Sequence, residues 1–180
     1  MNETTILFVI ASEGFQHTEY SVPKQILEDA GFTVVTASDK PGTAKATNGS
    51  TTEVDITTDK VIANDYEGVF FIGGSDALEH LDNALSYKII QETYYQNKPV
   101  GAICIATRIL AKSGIMDGRY ATGFNEDGQL EALYAEYHIQ YLPTEKVVVN
   151  ANIITATDPS AAEEFGKKIV EILHNRQSWG

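Results

Sequence analysis

The segment Val100-Gly101-Ala102-Ile103-Cys104-Ile105-Ala106 decides how this chain is read. Residues 100–103 have buried-strand character, and a helix is expected from about Ala106 to Ser113, stopped by Gly114. Only Cys104 is left to turn the corner between them. So tight a strand-to-helix corner, a nucleophile elbow, holds its residue in a strained turn and presents the side chain at the carboxyl edge of the sheet. Strand and helix approach closely there, which demands small residues two positions before and after; Ala102 and Ala106 meet that demand. A lone cysteine is ordinarily a buried and inert packing residue, and the corner position is what turns the reading towards a nucleophile. The helix start behind the thiol favours the thiolate, so an acidic thiol is expected. The N–H of Ile105 is one candidate oxyanion donor. Gly74, at the end of another predicted strand, is the second, because glycine lets backbone approach a ligand.

Outward from the corner, residues 5–11 (T-I-L-F-V-I-A) form a continuous β-branched and aromatic run, the pattern of a strand buried on both faces of a parallel sheet. Further strands are expected at 33–37, 68–72, and 147–149 with 153–155 about Asn150-Ala151-Asn152. Helices are expected at 19–30 with Thr18 as cap, 87–96 with Ser86 as cap, 125–137, and 160–173 capped by Asp158, with a short one near 60–64. The threonine-rich stretch 43–58 carries Asn48-Gly49 at its centre and reads as a small antiparallel hairpin excursion. Strands alternating with helices predict a mostly parallel sheet with helices on both faces. With no repeat, low-complexity tract or linker, residues 1–180 read as one domain.

The chain has 180 residues, 43% of them apolar and 21% charged, enough for one full core. Its formal net charge of −12, with no Lys/Arg cluster to offset it, argues against nucleic-acid partners. No stretch reads as a membrane span, and Met1-Asn2-Glu3-Thr4-Thr5 lacks the basic start of a signal peptide, so a cytoplasmic location is expected. One cysteine permits no internal disulfide. The histidines at 17, 80, 138 and 174 have no ligand spacing, so no metal and no cofactor is expected.

Three blocks together resemble the ThiJ/PfpI superfamily, which includes the protein deglycase linked to parkinsonism and the PfpI-type intracellular proteases. Glu19-Tyr20-Ser21-Val22-Pro23 is similar to its E-x-x-x-P at the start of the first helix. Phe71-Ile72-Gly73-Gly74 is similar to its strand end before Gly-Gly, with Ile72 in place of proline, and Ala102-Ile103-Cys104-Ile105-Ala106 to its cysteine elbow. Thr155-Ala156-Thr157-Asp158-Pro159-Ser160 sits where the family has a loop before its last helix. The resemblance implies a flavodoxin-like, doubly wound α/β domain of the class I glutamine amidotransferase-like type, generally self-associating as a homodimer or larger assembly. It also implies that a protonated Glu19 donates a hydrogen bond to Cys104 and tunes its thiolate and its oxidation. A carboxylate beside a thiolate is a like-charge pair, so one of the two should hold a proton.

The departures bear on mechanism. Ile105 stands where PfpI-type members have histidine, and Phe124 where deglycase-type members have a later one. Thr157 and Asn48 stand in for arginines. A Cys-His-acid triad therefore does not carry over. Gly73, Tyr20, His17 and Phe124 are candidate pocket residues. His17 lies on a loop at the same sheet edge, and reads equally as solvated. Asp76 reads as a helix cap, and Arg108 either as a positive charge near the thiol or as half of a salt bridge. The leading expectation is a cysteine-dependent hydrolase or lyase acting on small electrophiles, or an oxidative-stress-responsive protein whose partner is an oxidant. A non-enzymatic redox sensor or ligand-binding module is the alternative. Peptidase and amidotransferase readings are weaker, for want of a proton donor to a leaving amine and of a His/Glu pair after the elbow.

Overall fold

The computed structural model describes residues 4–177; Met1, Asn2 and Glu3, on which the signal-peptide reading rests, lie outside them. In chain order the elements are β1 (Thr5–Ile10), β2 (Glu13–Phe15), α1 (His17–Asp29), β3 (Thr33–Ser38), β4 (Gly42–Ala46), β5 (Thr51–Val54), β6 (Ile56–Thr57), β7 (Val69–Phe71) and α2 (Ala77–Leu81). There follow α3 (Ala84–Tyr95), β8 (Val100–Ile103), α4 (Thr107–Lys112), β9 (Tyr120–Ala121), α5 (Leu130–Glu136), β10 (Gln140–Tyr141), β11 (Val147–Asn150), β12 (Ile153–Ala156) and α6 (Ala162–Gln177). The main sheet has the order β11-β12-β8-β7-β1-β3-β6 and is parallel throughout, apart from the antiparallel β11–β12 edge. Its central five strands, taken by chain order, follow the doubly wound flavodoxin pattern. In such sheets ligands bind outside the carboxyl ends of the strands.

Residues Ile6 to Ala11 are fully buried, as a central strand covered on both faces must be. Phe8 and Phe70 pair across β1 and β7, and their rings meet edge to face at 6.1 Å. Tyr20 of α1 packs on Phe8 at 6.3 Å and Phe165 of α6 on Phe70 at 6.0 Å, so α1 and α6 cover this face together. Gly101, the neighbour of Phe70 on β8, leaves room for that ring: a Cβ there would lie 3.0 Å from Phe70 Cδ1 and 2.4 Å from the Ile154 carbonyl oxygen. On the other face α3 packs on α4, and α4 on α5. The excursion is the antiparallel pair β4–β5, turned at Gly49 with φ of +86°, and β2 joins its edge.

Several boundaries differ from the sequence reading. The first helix starts at His17, not after a Thr18 cap, because the Gln16 N–H bonds to the Gly73 carbonyl at 2.9 Å while its side chain accepts the Glu19 N–H at 3.0 Å. Asn83, not Ser86, caps α3, taking the N–H groups of Leu85 and Ser86. The expected helix over 125–137 is confined to α5, since the chain turns at Gly128 with φ of +70°. The stretch near 60–64 contains two short 3-10 turns, Thr58–Lys60 and Ala63–Asp65, in place of a helix.

Candidate active site

Three strand ends and one helix start converge at the site. The register pairs Phe71 with Ala102 and Ala156 with Ile103, so the residues that follow (Ile72-Gly73, Cys104 and Thr157) leave the sheet side by side. Cys104 turns the corner at φ of +61°, a conformation costly for any residue with a Cβ. It opens a 3-10 turn, Cys104–Ala106, that leads into α4. Ala106 is fully buried at that junction, where a larger side chain would have no space.

Glu19 reaches the site because α1 is latched to the end of β7 through the Gln16–Gly73 bond, which places the first turn of the helix over the Gly-Gly segment. Its side chain is fully buried. Oε2 accepts the Gly73 N–H at 3.0 Å, while Oε1 is a buried oxygen without an oxygen or nitrogen partner. Gly73 is the spacer between acid and thiol: a Cβ there would stand 2.6 Å from Glu19 Oε2 and 2.7 Å from Cys104 Cβ. Gly74, with φ of +138°, would drive a Cβ to 2.2 Å from the Gly14 carbonyl oxygen.

Charge settles around this pair in an unexpected direction. Burial pushes the Glu19 carboxyl up from 4.5 to about 7, against the opposing pull of its hydrogen bonds with Cys104 and Gly73. Burial and the charge of Glu19 push the Cys104 thiol up as well, although the Ile105 N–H bonds to its sulfur and opposes this. The expectation of an acidic thiol is thus overturned. The following helix has only six residues, no cation is hydrogen-bonded to the sulfur among the described residues, and desolvation wins. Burial thus holds both members of the pair above their ordinary values.

The other expected site residues are distributed unevenly. The Ile105 N–H engages the sulfur itself, and the Gly74 N–H has no acceptor among the described residues. Phe124 comes close, its N–H donating to the Cys104 carbonyl at 3.4 Å. Together with Gly123, Asn125, Glu126, Tyr141, Thr157 and Asp158 it lines a cleft of about 260 Å³. Tyr20 does not wall a pocket: it is 5% exposed, its hydroxyl lies 2.7 Å from Thr36 Oγ1, and its ring packs on Phe8 and Phe15 in the core. His17 is turned to the excursion, with Nδ1 2.9 Å from Ser50 Oγ. Arg108 is buried and committed to Asp127 at 2.6 Å and to the Phe124 carbonyl. Asp158, read only as a helix cap, does bond the Ser160 N–H at 2.7 Å, but its charge also acts on both Glu19 and Cys104. Its position beside the strand end at Ala156 was the available signal.

A second cluster at the same sheet edge escaped the sequence reading. Asp39, directly after β3, accepts the Ser12 N–H at 2.7 Å and the Ser12 hydroxyl at 3.0 Å, and lies 2.8 Å from His80 Nδ1. Among the described residues no group of acidic, cysteine or histidine side chains is disposed to hold a metal, and no helix is long and apolar enough to cross a membrane.

The architecture is a doubly wound sheet with a strained cysteine at one strand end and a buried glutamate against it. The match to the DJ-1/PfpI family spans residues 4–172, and the chain belongs to that family. An uncharacterized protein of Methanocaldococcus jannaschii is 30% identical over 174 residues, covering 96% of this chain and 84% of its own. A deglycase of Pyrococcus horikoshii is 27% identical over 170 residues, covering 93% and 98%. Among solved structures, a ThiJ/PfpI domain protein from Brachyspira murdochii superposes with a TM-score of 0.90 at 27% identity, over 97% of this chain and 99% of that one. DJ-1beta from Drosophila melanogaster gives 0.85 at 25%, over 95% and 90%.

Proposed function

We propose that the protein is a cysteine-dependent enzyme acting on small reactive carbonyl compounds such as 2-oxoaldehydes, with Glu19 as its base. The observation that carries this reading is a fully buried carboxyl, pushed to about 7, with one oxygen anchored on Gly73 and the carboxyl hydrogen-bonded to the single cysteine of the chain. A base poised near the operating pH combines the right protonation state with driving force. Ionised Glu19 takes the thiol proton as the Cys104 sulfur bonds to the aldehyde carbon, and the carbonyl oxygen gains the negative charge, for which the Gly74 N–H is the candidate donor. For a 2-oxoaldehyde, transfer of the former aldehyde hydrogen to the adjacent carbon, then addition of water to the thioester, yields the 2-hydroxy acid. The sum is addition of one water, with no external oxidant or reductant. The deglycase relatives from Pyrococcus support carbonyl-adduct chemistry.

Purified protein incubated with methylglyoxal should produce lactate, and Cys104→Ser should abolish the activity; isocyanides should not turn over. Conversion no faster than buffer would sink the assignment. Self-association belongs to the same reading. Tyr95, Tyr120 and Val149 are large exposed apolar side chains, and Arg119 bonds both Tyr94 and Asn150, the neighbours of two of them. Light scattering should give a mass above that of the 19.7 kDa chain.

A further inference from the structure

The two charged side chains that line the cleft beside the Cys104 corner are both acidic. Asp158 and Glu126 both line the cleft beside Phe124 and Thr157. Asp158 acts on both members of the reactive pair, raising Glu19 and Cys104 alike. The nearest buried cation, Arg108, is spent on Asp127 and on the Phe124 carbonyl, and its guanidinium lies over the Phe124 ring at 6.0 Å. The cation that does act on Asp158 is Lys146, which is solvent-exposed and bonded to Ser160 Oγ at 3.2 Å. Thr157 places an uncharged hydroxyl, engaged with the Asp158 carboxylate, at the strand end next to the thiol.

We infer that Asp158 is a specificity-determining residue that excludes anionic electrophiles from Cys104 and admits neutral or cationic ones. The inference rests on the reading of Cys104 as the nucleophile. An approaching anion meets Asp158 and Glu126 on the cleft wall, while Arg108 is already paired with Asp127 and Lys146 stands in solvent. Glu126 is exposed and Asp158 half-buried, so such repulsions are strongest at low salt. A carbonyl substrate bearing no carboxylate therefore fits, and its carboxylated analogue does not: methylglyoxal belongs to the accepted class and glyoxylate to the rejected one. Thr157 supplies a hydroxyl to hydrogen-bond a neutral carbonyl or hydroxyl in place of a cation that would clamp an acid.

The single cysteine makes the test direct, because every modification reports on Cys104. The probes are two methanethiosulfonates of similar size, one carrying an ammonioethyl and the other a sulfonatoethyl group. In each, the thiolate attacks the sulfenyl sulfur, a disulfide forms, and methanesulfinate leaves; the thiol proton goes to solvent. Rates read by intact mass, each divided by that for free cysteine, should favour the cationic reagent on the order of tenfold at low salt. Asp158→Asn should shrink that preference about three- to tenfold, since asparagine caps the helix as well as aspartate. Glu126→Gln, an exposed change that does not threaten folding, should shrink it less. Glu171→Gln, which alters net charge equally but sits on α6 away from the cleft, should leave it unchanged. No preference in the wild type, an unaltered preference in Asp158→Asn, or an equal change in Glu171→Gln would each overturn the inference. If methylglyoxal is not converted while the preference and its Asp158 dependence hold, the catalytic assignment fails and the charge selection stands.

Discussion

Two carboxyl groups stand at the same edge of the sheet and have opposite fates. Asp39 receives the Ser12 N–H, the Ser12 hydroxyl and the His80 ring, and these bonds together hold it below the usual carboxylate range although burial opposes them. Glu19 has only the Gly73 N–H and the Cys104 thiol as partners, and is pushed up to about 7 by burial. Burial and the supply of donors together distinguish them: Glu19 is fully buried with few donors, whereas Asp39 is half-buried and well supplied. A carboxylate given enough donors becomes a strut, while one starved of donors and faced with a thiol becomes a group that trades protons near neutrality.

The largest effect expected from this contrast is kinetic. Glu19→Gln, which removes the base and preserves shape, should lower kcat with methylglyoxal by about 10²–10⁴-fold. Steady-state assays from pH 5 to 9 check it, because the wild-type rate should rise through about 7 as Glu19 ionises and the variant should lose that limb. Next comes the pH dependence of stability, with opposite signs at the two sites. Glu19 has a raised folded pKa, so its contribution is fully present below 4.5 and lost as the pH rises through about 7. That loss is on the order of 3 kcal/mol. Denaturant titrations should show it in the wild type, and Glu19→Gln should flatten the curve. Asp39, with a depressed pKa, contributes stability above 3.8 that is lost as the pH falls below that value through its lower folded pKa. A smaller change follows from Asp39→Ala, which strands the Ser12 N–H and should cost about 2 kcal/mol at pH 7 with kcat preserved. The smallest belongs to His80→Ala, about 1 kcal/mol, since Asp39 keeps both Ser12 bonds. If the two aspartate-site variants reduce kcat as far as Glu19→Gln does, the contrast between strut and proton carrier collapses.

Much of this was legible because it is written locally. A continuous apolar run at 5–11, a corner with one residue in it, and flanking alanines require no knowledge of the rest of the chain. The turn at Asn48-Gly49 was equally local. What escaped depends on distant partners. The start of α1 is fixed by a bond from Gln16 to Gly73, so no inspection of residues 16–19 could displace Thr18 as cap. Ser12, Asp39 and His80 are brought together by three separate elements, and no spacing announces them. The two-residue strands β9 and β10 are too short to carry a pattern. The direction of the thiol's shift follows from burial against Glu19, a tertiary quantity, and helix direction alone pointed the wrong way.

The backbone angle at Cys104 has an evolutionary consequence. A positive φ suits glycine and penalises cysteine by about 1 kcal/mol or more. Cys104→Gly is therefore a change that folding alone would reward and chemistry would forbid. Thermostability screening applied without an activity filter should enrich that substitution, drifting the lineage towards a sturdier and silent protein.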